Sequence, residues 1–184
     1  MSYRIGLDLG GTKVLGVVTD SDHKVIHRKK HRLSNRADIS AVMDQVSNVY
    51  TALAERVGDE KIDSVGIALP SPVDNELGHA KHLTAFQEKE LPVRDMLKER
   101  TGVDVKLGND VNMATLAEYK FGAGKGASSL FTFYPGTGLG GGYIYKGKLV
   151  AGFNSTAAEV GHVVIDIDGP LCKCGRHGCL EAIV

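Results

Sequence analysis

"YRIGLDLGGTKVLGVVTD", residues 3–20, decides the fold. Tyr3–Leu9 alternates apolar and other side chains and then meets Gly10-Gly11. Val14–Thr19 follows, then a polar turn at Asp20–His23, then Lys24–Leu33. Period-two alternation broken by short polar or glycine turns reads as three antiparallel strands. The chain therefore opens on a β-meander with a glycine pair at its first bend.

Working outward, Ile39, Val42, Met43, Val46, Val49, Tyr50, Leu53 and Val57 recur every three or four residues. This is one apolar helix face, closed by Gly58. Ser64–Leu69 reads as a short apolar strand ending in the proline-stiffened loop "PSPVD". Residues 75–90 show no period and read as loop. Val93, Met96 and Leu97 predict a short helix ending at Gly102. Val103, Val105 and Leu107 predict a strand running into "GND", and Val111–Phe121 reads as helix. "GAGKGAS" is a hinge candidate. Leu130–Tyr134 reads as strand, "PGTGLGGG" as loop, and Tyr143–Tyr145 with Lys148–Ala151 as a hairpin turning at Lys146-Gly147. The pattern predicts an α/β domain over 1–121 and a second over 122–184 whose strands have almost no helix to cover them.

Composition excludes some functions. The 22 Lys+Arg balance the 22 Asp+Glu, so no net field draws the chain to nucleic acid or membrane. The most basic stretch, His27–Arg32, falls on a predicted strand and reads as a solvated face. No apolar run is long enough to span a bilayer, no signal peptide is visible, and the cytoplasm is the expected compartment. Three cysteines, all within residues 172–179, argue against a disulfide framework.

Four stretches carry chemistry. In "DLGGTK", Asp8–Lys13, two glycines after a strand turn backbone N–H groups toward an anion; a plain hairpin turn is the alternative. In "PGTGLGGG", Gly136, Gly138 and Gly141 fit G-x-G-x-x-G, but a hairpin follows instead of the helix a dinucleotide fold needs. No H-R-D or D-F-G stretch follows either, so the protein-kinase glycine loop fails. A phosphate cradle between strands remains, beside the alternative of a flexible hairpin. In "LGNDVNMATLAE", Asp110 stands where a strand meets a helix N-terminus, which favours an ionised carboxylate; an ordinary N-cap is the alternative. Last, His162 precedes Cys172, Cys174 and Cys179. One imidazole and three thiols suit tetrahedral, structural zinc. His177 competes as a ligand, and buried reduced cysteines are the other reading.

Together these stretches resemble the ROK family of sugar kinases, glucokinases and fructokinases among them. "DLGGTK", "NDVN", "GTGLGGG", "AAEVGH" and "CKCGRHGCLE" stand in family order. The resemblance implies an α/β, ribonuclease H-like (actin-like ATPase) two-domain fold, with the second domain incomplete in this chain. It implies ATP-dependent phosphorylation of a hexose, glucose or fructose, with Asp110 as general base. It implies that Asn109, Asp110, Glu159, His162 and Glu181 hold the sugar, His162 also meeting zinc with Cys172, Cys174 and Cys179. Gly10, Gly11, Thr12 and Lys13 would approach the ATP phosphates from the first domain, and Gly136, Thr137 and Gly138 from the second. Asp8 would contact Mg²⁺ through water. Sugar and ATP are the expected partners, with a homodimer the expected assembly.

The chain departs from the family pattern at Ala158, where glycine is common. It departs again at "KHLTAF", where many hexose-specific members have "PNLPGW", and at "ALPSPVD". A sugar-responsive repressor of the family is the lesser alternative. A helix-turn-helix would precede the first phosphate motif, and only seven residues precede Asp8. A non-catalytic sugar-binding fragment is the other.

Overall fold

The computed structural model describes residues 2–136 and 138–184. The chain divides into two compact units, Met1–Asp110 and Val111–Val184.

The first unit is built on a mixed sheet. Its strands are β1 (Ser2–Leu9), β2 (Lys13–Thr19), β3 (Val25–Arg32), β4 (Lys61–Leu69) and β8 (Val105–Asn109). Their order is β3-β2-β1-β4-β8. The first three pair antiparallel as a meander, while β4 and β8 run parallel to β1. This places the carboxyl ends of β1, β4 and β8 on one edge, where open α/β sheets bind ligands.

Helix α1 (Ile39–Val57) covers one face of this sheet. Asp38 caps its start, accepting from the N–H groups of Ser40 and Ala41, and Gly58 ends it at φ 65°. Its buried stripe is Val42, Met43, Val46, Val49, Leu53 and Val57. Burying each such side chain stabilises the fold by about 1.5–3 kcal/mol. Gly16 of β2 faces this stripe: a Cβ there would lie 2.5 Å from Leu53 Cδ1. Helix α2 (Val93–Thr101) packs on α1, where Arg100 bonds Asp44 at 2.6 Å and Ser40 Oγ at 2.7 Å.

Residues 75–90, expected as loop, instead hold strands. β5 (Val73–Asp74), β6 (His79–Leu83) and β7 (Glu88–Leu91) form a small antiparallel sheet. It buries Val73, Ala80, Leu83, Phe86 and Leu91 in the main core.

In the second unit, β9 (Ser129–Pro135), β10 (Leu139–Tyr145) and β11 (Lys148–Leu149) form an antiparallel sheet in the order β11-β10-β9. "LGGG" is thus part of a strand and not of a loop. Helix α3 (Asp110–Phe121) leads into this unit, and the short α4 (Leu180–Ile183) follows the cysteines. The β10–β11 turn has Lys146 at φ 47° and Gly147 at φ 76°, the two positive angles a type I′ hairpin needs. The glycines of β10 serve packing. A Cβ on Gly142 would overlap Thr115 Oγ1 of α3, and one on Gly141 would lie 2.5 Å from Ala158 O. The face that Gly141 shares carries Phe131, Phe133, Tyr143 and Tyr145 in a row of ring contacts, with Phe133 59% exposed. No helix among the described residues is long and apolar enough to cross a membrane.

Candidate active site and metal centre

Asp8 is the penultimate residue of β1, at the carboxyl edge of the sheet. Desolvation raises its carboxyl above the ordinary carboxylate range, and Lys13 pulls it back down. The turn that follows is tight: Gly10 N–H donates to Lys13 O at 2.9 Å, and Leu33 N–H donates to Thr12 O at 3.0 Å. Gly11 sits close under a neighbour; a Cβ on it would lie 3.1 Å from Ala85 Cβ and 4.0 Å from Arg36 Nη2. The "KHLTAF" segment therefore borders the first glycine turn.

Asn109 and Asp110 stand at the end of β8, where Asn109 pairs with Leu69 of β4. With β4 between β1 and β8, two strand spacings separate Asp8 from Asn109, about 10 Å. Asn109 Nδ2 donates to Asp110 Oδ1 at 3.1 Å and to Ser71 O at 3.4 Å. Ser71 is buried, and its Oγ accepts from His82 N–H at 3.0 Å. A hydrogen-bonded relay thus runs from the β6 backbone through Ser71 to the Asn109–Asp110 pair. Sequence reasoning missed Ser71; its one signal is that it stands between two prolines, where a hydroxyl can replace missing backbone donors.

In the second unit, Gly136 N–H donates to Gly138 O at 2.8 Å. Thr137 lies outside the described residues. Glu181 of α4 accepts from Leu139 N–H at 2.8 Å, beside Gly138. Glu159 and His162 sit on the segment around a 3₁₀ turn at Val160–His162, where His162 N–H donates to Glu159 O at 3.1 Å.

His162, Cys172, Cys174 and Cys179 converge, with one ligand atom of each lying within 4.8 Å of all the others. Cys174 Sγ is 3.6 Å from Cys179 Sγ, and His162 Nδ1 is 3.7 Å from Cys172 Sγ. A zinc tetrahedron with bonds of ~2.3 Å has edges of about 3.7 Å, so the set fits Zn²⁺. His177 Nδ1 instead meets Gly169 O at 3.0 Å. Around Cys174, the Arg176 backbone N–H and then its guanidinium favour the thiolate, bringing the thiol down to about 6, whereas burial pushes Cys179 up to about 11. Gly175, at φ 88°, lets the chain curl so that its N–H reaches Cys172 O at 2.9 Å.

Ala158, just before Glu159, has φ 64°. A left-handed conformation costs an L-residue roughly 1–2 kcal/mol that glycine does not incur. Ala158→Gly is expected to stabilise the protein by about 1 kcal/mol against urea with an unchanged m-value. Unchanged or lowered stability would show that Ala158 is not strained there.

A meander continued by parallel strands, with an acidic residue beside a glycine turn at their carboxyl edge, is the arrangement of the actin-like class of α/β folds. The ROK family model matches residues 4–184, and the chain belongs to the ROK family. The glucokinase of Thermotoga maritima is 36% identical over 180 residues, covering 97% of this chain and 56% of that protein. The crystal structure of a ROK hexokinase from Thermus thermophilus superposes with TM-score 0.85 at 31% identity, over 99% of this chain and 60% of that one. A ROK glucokinase from Streptomyces griseus, solved with glucose and AMPPNP, gives TM-score 0.83 at 32% identity, over 97% of this chain and 56% of that one. The chain spans about half the length of the curated relatives it matches.

Proposed function

We propose that this chain carries the sugar and phosphate elements of an ATP-dependent hexose kinase. The observation that supports it best is the Asn109–Asp110 pair, fixed through Ser71 at the same sheet edge as Asp8 and the Gly10–Lys13 turn. In this reading Asp110 accepts the proton of a sugar hydroxyl as its oxygen attacks the γ-phosphorus of ATP. The phosphorus–oxygen bond to ADP breaks, and the products are sugar phosphate, ADP and a proton. Phosphoryl transfer asks mainly for positioning and charge neutralisation, so a correctly aimed carboxylate suffices.

Asn109, Glu159, His162 and Glu181 are the groups assigned to sugar hydroxyls. Gly10, Gly11, Thr12, Lys13, Gly136, Thr137 and Gly138 are assigned to the phosphates. The Asp8 carboxylate is the hard oxygen donor that would hold, through water, a magnesium ion arriving with ATP, which would supply neutralisation of phosphate charge. Zinc is assigned to the His162–Cys172–Cys174–Cys179 set. There Nδ1 of His162 faces Cys172 Sγ, and Nε2 is the atom assigned to the sugar, its tautomer fixed by the metal. The named relatives favour glucose as the sugar.

The test is a screen of hexoses and N-acetylhexosamines for ATP-dependent phosphorylation. It is run on this chain and on a chimera completed with the remaining segment of a ROK relative. Glucose-dependent ADP formation by the chimera is expected. Activity with no sugar in either form would refute the reading. Sugar binding without transfer is the second reading. A calorimetric sugar isotherm from a chain that binds no ATP analogue would select it.

A further inference from the structure

The three thiols of the metal set are not equivalent. Cys172 and Cys179 are buried, whereas Cys174 is exposed. The backbone accounts for the difference. Cys172 N–H donates to Arg176 O at 2.8 Å, and Gly175 N–H donates to Cys172 O at 2.9 Å. Leu171 and His177 pair as a β-bridge across this turn, and Cys179 pairs with Val164. Cys172 and Cys179 therefore sit in paired backbone, and Cys174 is carried at the tip of the turn between them.

Two neighbours of Cys174 bear on its chemistry. Its Sγ lies 3.6 Å from Cys179 Sγ, and the two sulfurs are not bonded. A disulfide brings its sulfurs to about 2.05 Å, so a movement of about 1.5 Å at the turn would form one. Cys172 Sγ is turned instead to His162 Nδ1, at 3.7 Å. The second neighbour is Arg176. Its backbone N–H and its guanidinium both bond the Cys174 sulfur, and the guanidinium also donates to His162 O at 3.0 Å. Among the described residues no carboxylate forms an ion pair with Arg176. A zinc tetrahedron accounts for the contact between the sulfurs. It does not account for one sulfur facing solvent with a cation fixed upon it. An accessible sulfur beside a cation, with a second thiol in reach, is the arrangement of a peroxide-reactive cysteine.

We propose that Cys174 is a modification site for hydroperoxides: its sulfur is oxidised first, with Arg176 assisting, and Cys179 then captures it as a disulfide. With hydrogen peroxide, the Cys174 thiolate attacks one oxygen and the O–O bond breaks. Hydroxide leaves, takes a proton from solvent, and a sulfenic acid remains on Cys174. The Arg176 guanidinium is a donor beside the sulfur for that departing oxygen. The Cys179 thiolate then attacks the Cys174 sulfur, the S–O bond breaks, and a second hydroxide leaves and is protonated. The two sulfurs together lose two electrons to the peroxide, giving one disulfide and two waters. Only His162 and Cys172 would then remain as donors for zinc. Release of zinc rests on the metal reading above; formation of the disulfide does not, and neither step needs sugar or ATP.

The probe is hydrogen peroxide in small excess, added to the full chain. Zinc content is measured beforehand, released zinc is followed with a chromogenic chelator, and the thiols are mapped by peptide mass without reduction. A Cys174–Cys179 disulfide is expected, with zinc released at the same rate and rebound after dithiothreitol and added zinc. Dimedone present during a brief exposure is expected to label Cys174 ahead of Cys172 and Cys179, a comparison that needs no variant. Arg176→Gln removes no ligand and is expected to keep the zinc. It should slow disulfide formation about tenfold, the effect of losing a hydrogen bond to a charged group. A disulfide through Cys172, first labelling at Cys172 or Cys179, three thiols still reduced under peroxide, or an Arg176→Gln rate equal to the parent's would overturn the proposal. A chain that forms the Cys174–Cys179 disulfide without having bound zinc would refute the metal reading and support this one.

Discussion

Asp110→Asn is expected to lower the rate of hexose phosphorylation by about 10²–10⁴-fold, the usual contribution of a positioned general base. That is about 3–5 kcal/mol of transition-state stabilisation. Sugar affinity should change little. The amide keeps the size of the carboxylate, can still accept from Asn109 Nδ2, and leaves the Asn109–Ser71 bond untouched. The comparison is made in the completed chimera, with kcat from coupled ADP release and sugar Kd from calorimetry. A variant that keeps full kcat would remove Asp110 from the chemistry. One that loses sugar binding along with kcat would make it a binding group.

The second large effect is expected at the cysteines. Structural zinc in small peptides contributes about 10–16 kcal/mol of apparent binding free energy, much of it realised as folding. The segment 158–184 has little else to hold it: among the described residues its only helix beyond a 3₁₀ turn is the four-residue α4. Ile165, Ile167 and Leu171 are exposed and add little burial. Cys179→Ser, or chelation of the metal, is therefore expected to lower the stability of the second unit by several kcal/mol. It should also abolish sugar binding through Glu159 and His162, with the first unit still folded. Metal analysis should give one zinc per chain in the parent and none in the variant. A parent that binds no zinc, or a chelated protein with an unchanged melting profile and sugar affinity, would assign the cysteines a packing role only.

The parts of the fold that were legible in the sequence are those set by local spacing. The α1 stripe from Ile39 to Val57 and its Gly58 stop follow from a 3.6-residue period. The Lys146-Gly147 turn follows from the demand for positive φ. What was not legible depends on distant partners. β6 and β7 read as loop because "HAKHL" and "EKEL" are short and half polar. Their strand character comes from pairs such as Ala80 with Leu91, and from Leu83 and Phe86 reaching a core built elsewhere. The glycines of "LGGG" signalled phosphate, yet Gly141 and Gly142 are where Ala158 and Thr115 come close, and glycine carries no mark that separates the two uses. Residue types alone pointed to the His162, Cys172, Cys174 and Cys179 set that the fold brings together. Ser71 could not be announced, because its importance lies in which carbonyl and which amide the fold brings to it.

In the proposed reaction the carboxylate opening α3 takes a proton from a sugar alcohol. A crystal structure of the completed protein with glucose and a non-hydrolysable ATP analogue tests it most directly. An Asp110 oxygen is expected about 2.6–3.2 Å from one sugar hydroxyl, with that hydroxyl in line with the γ-phosphorus. Glucose bound with every hydroxyl beyond hydrogen-bond reach of Asp110 would contradict it.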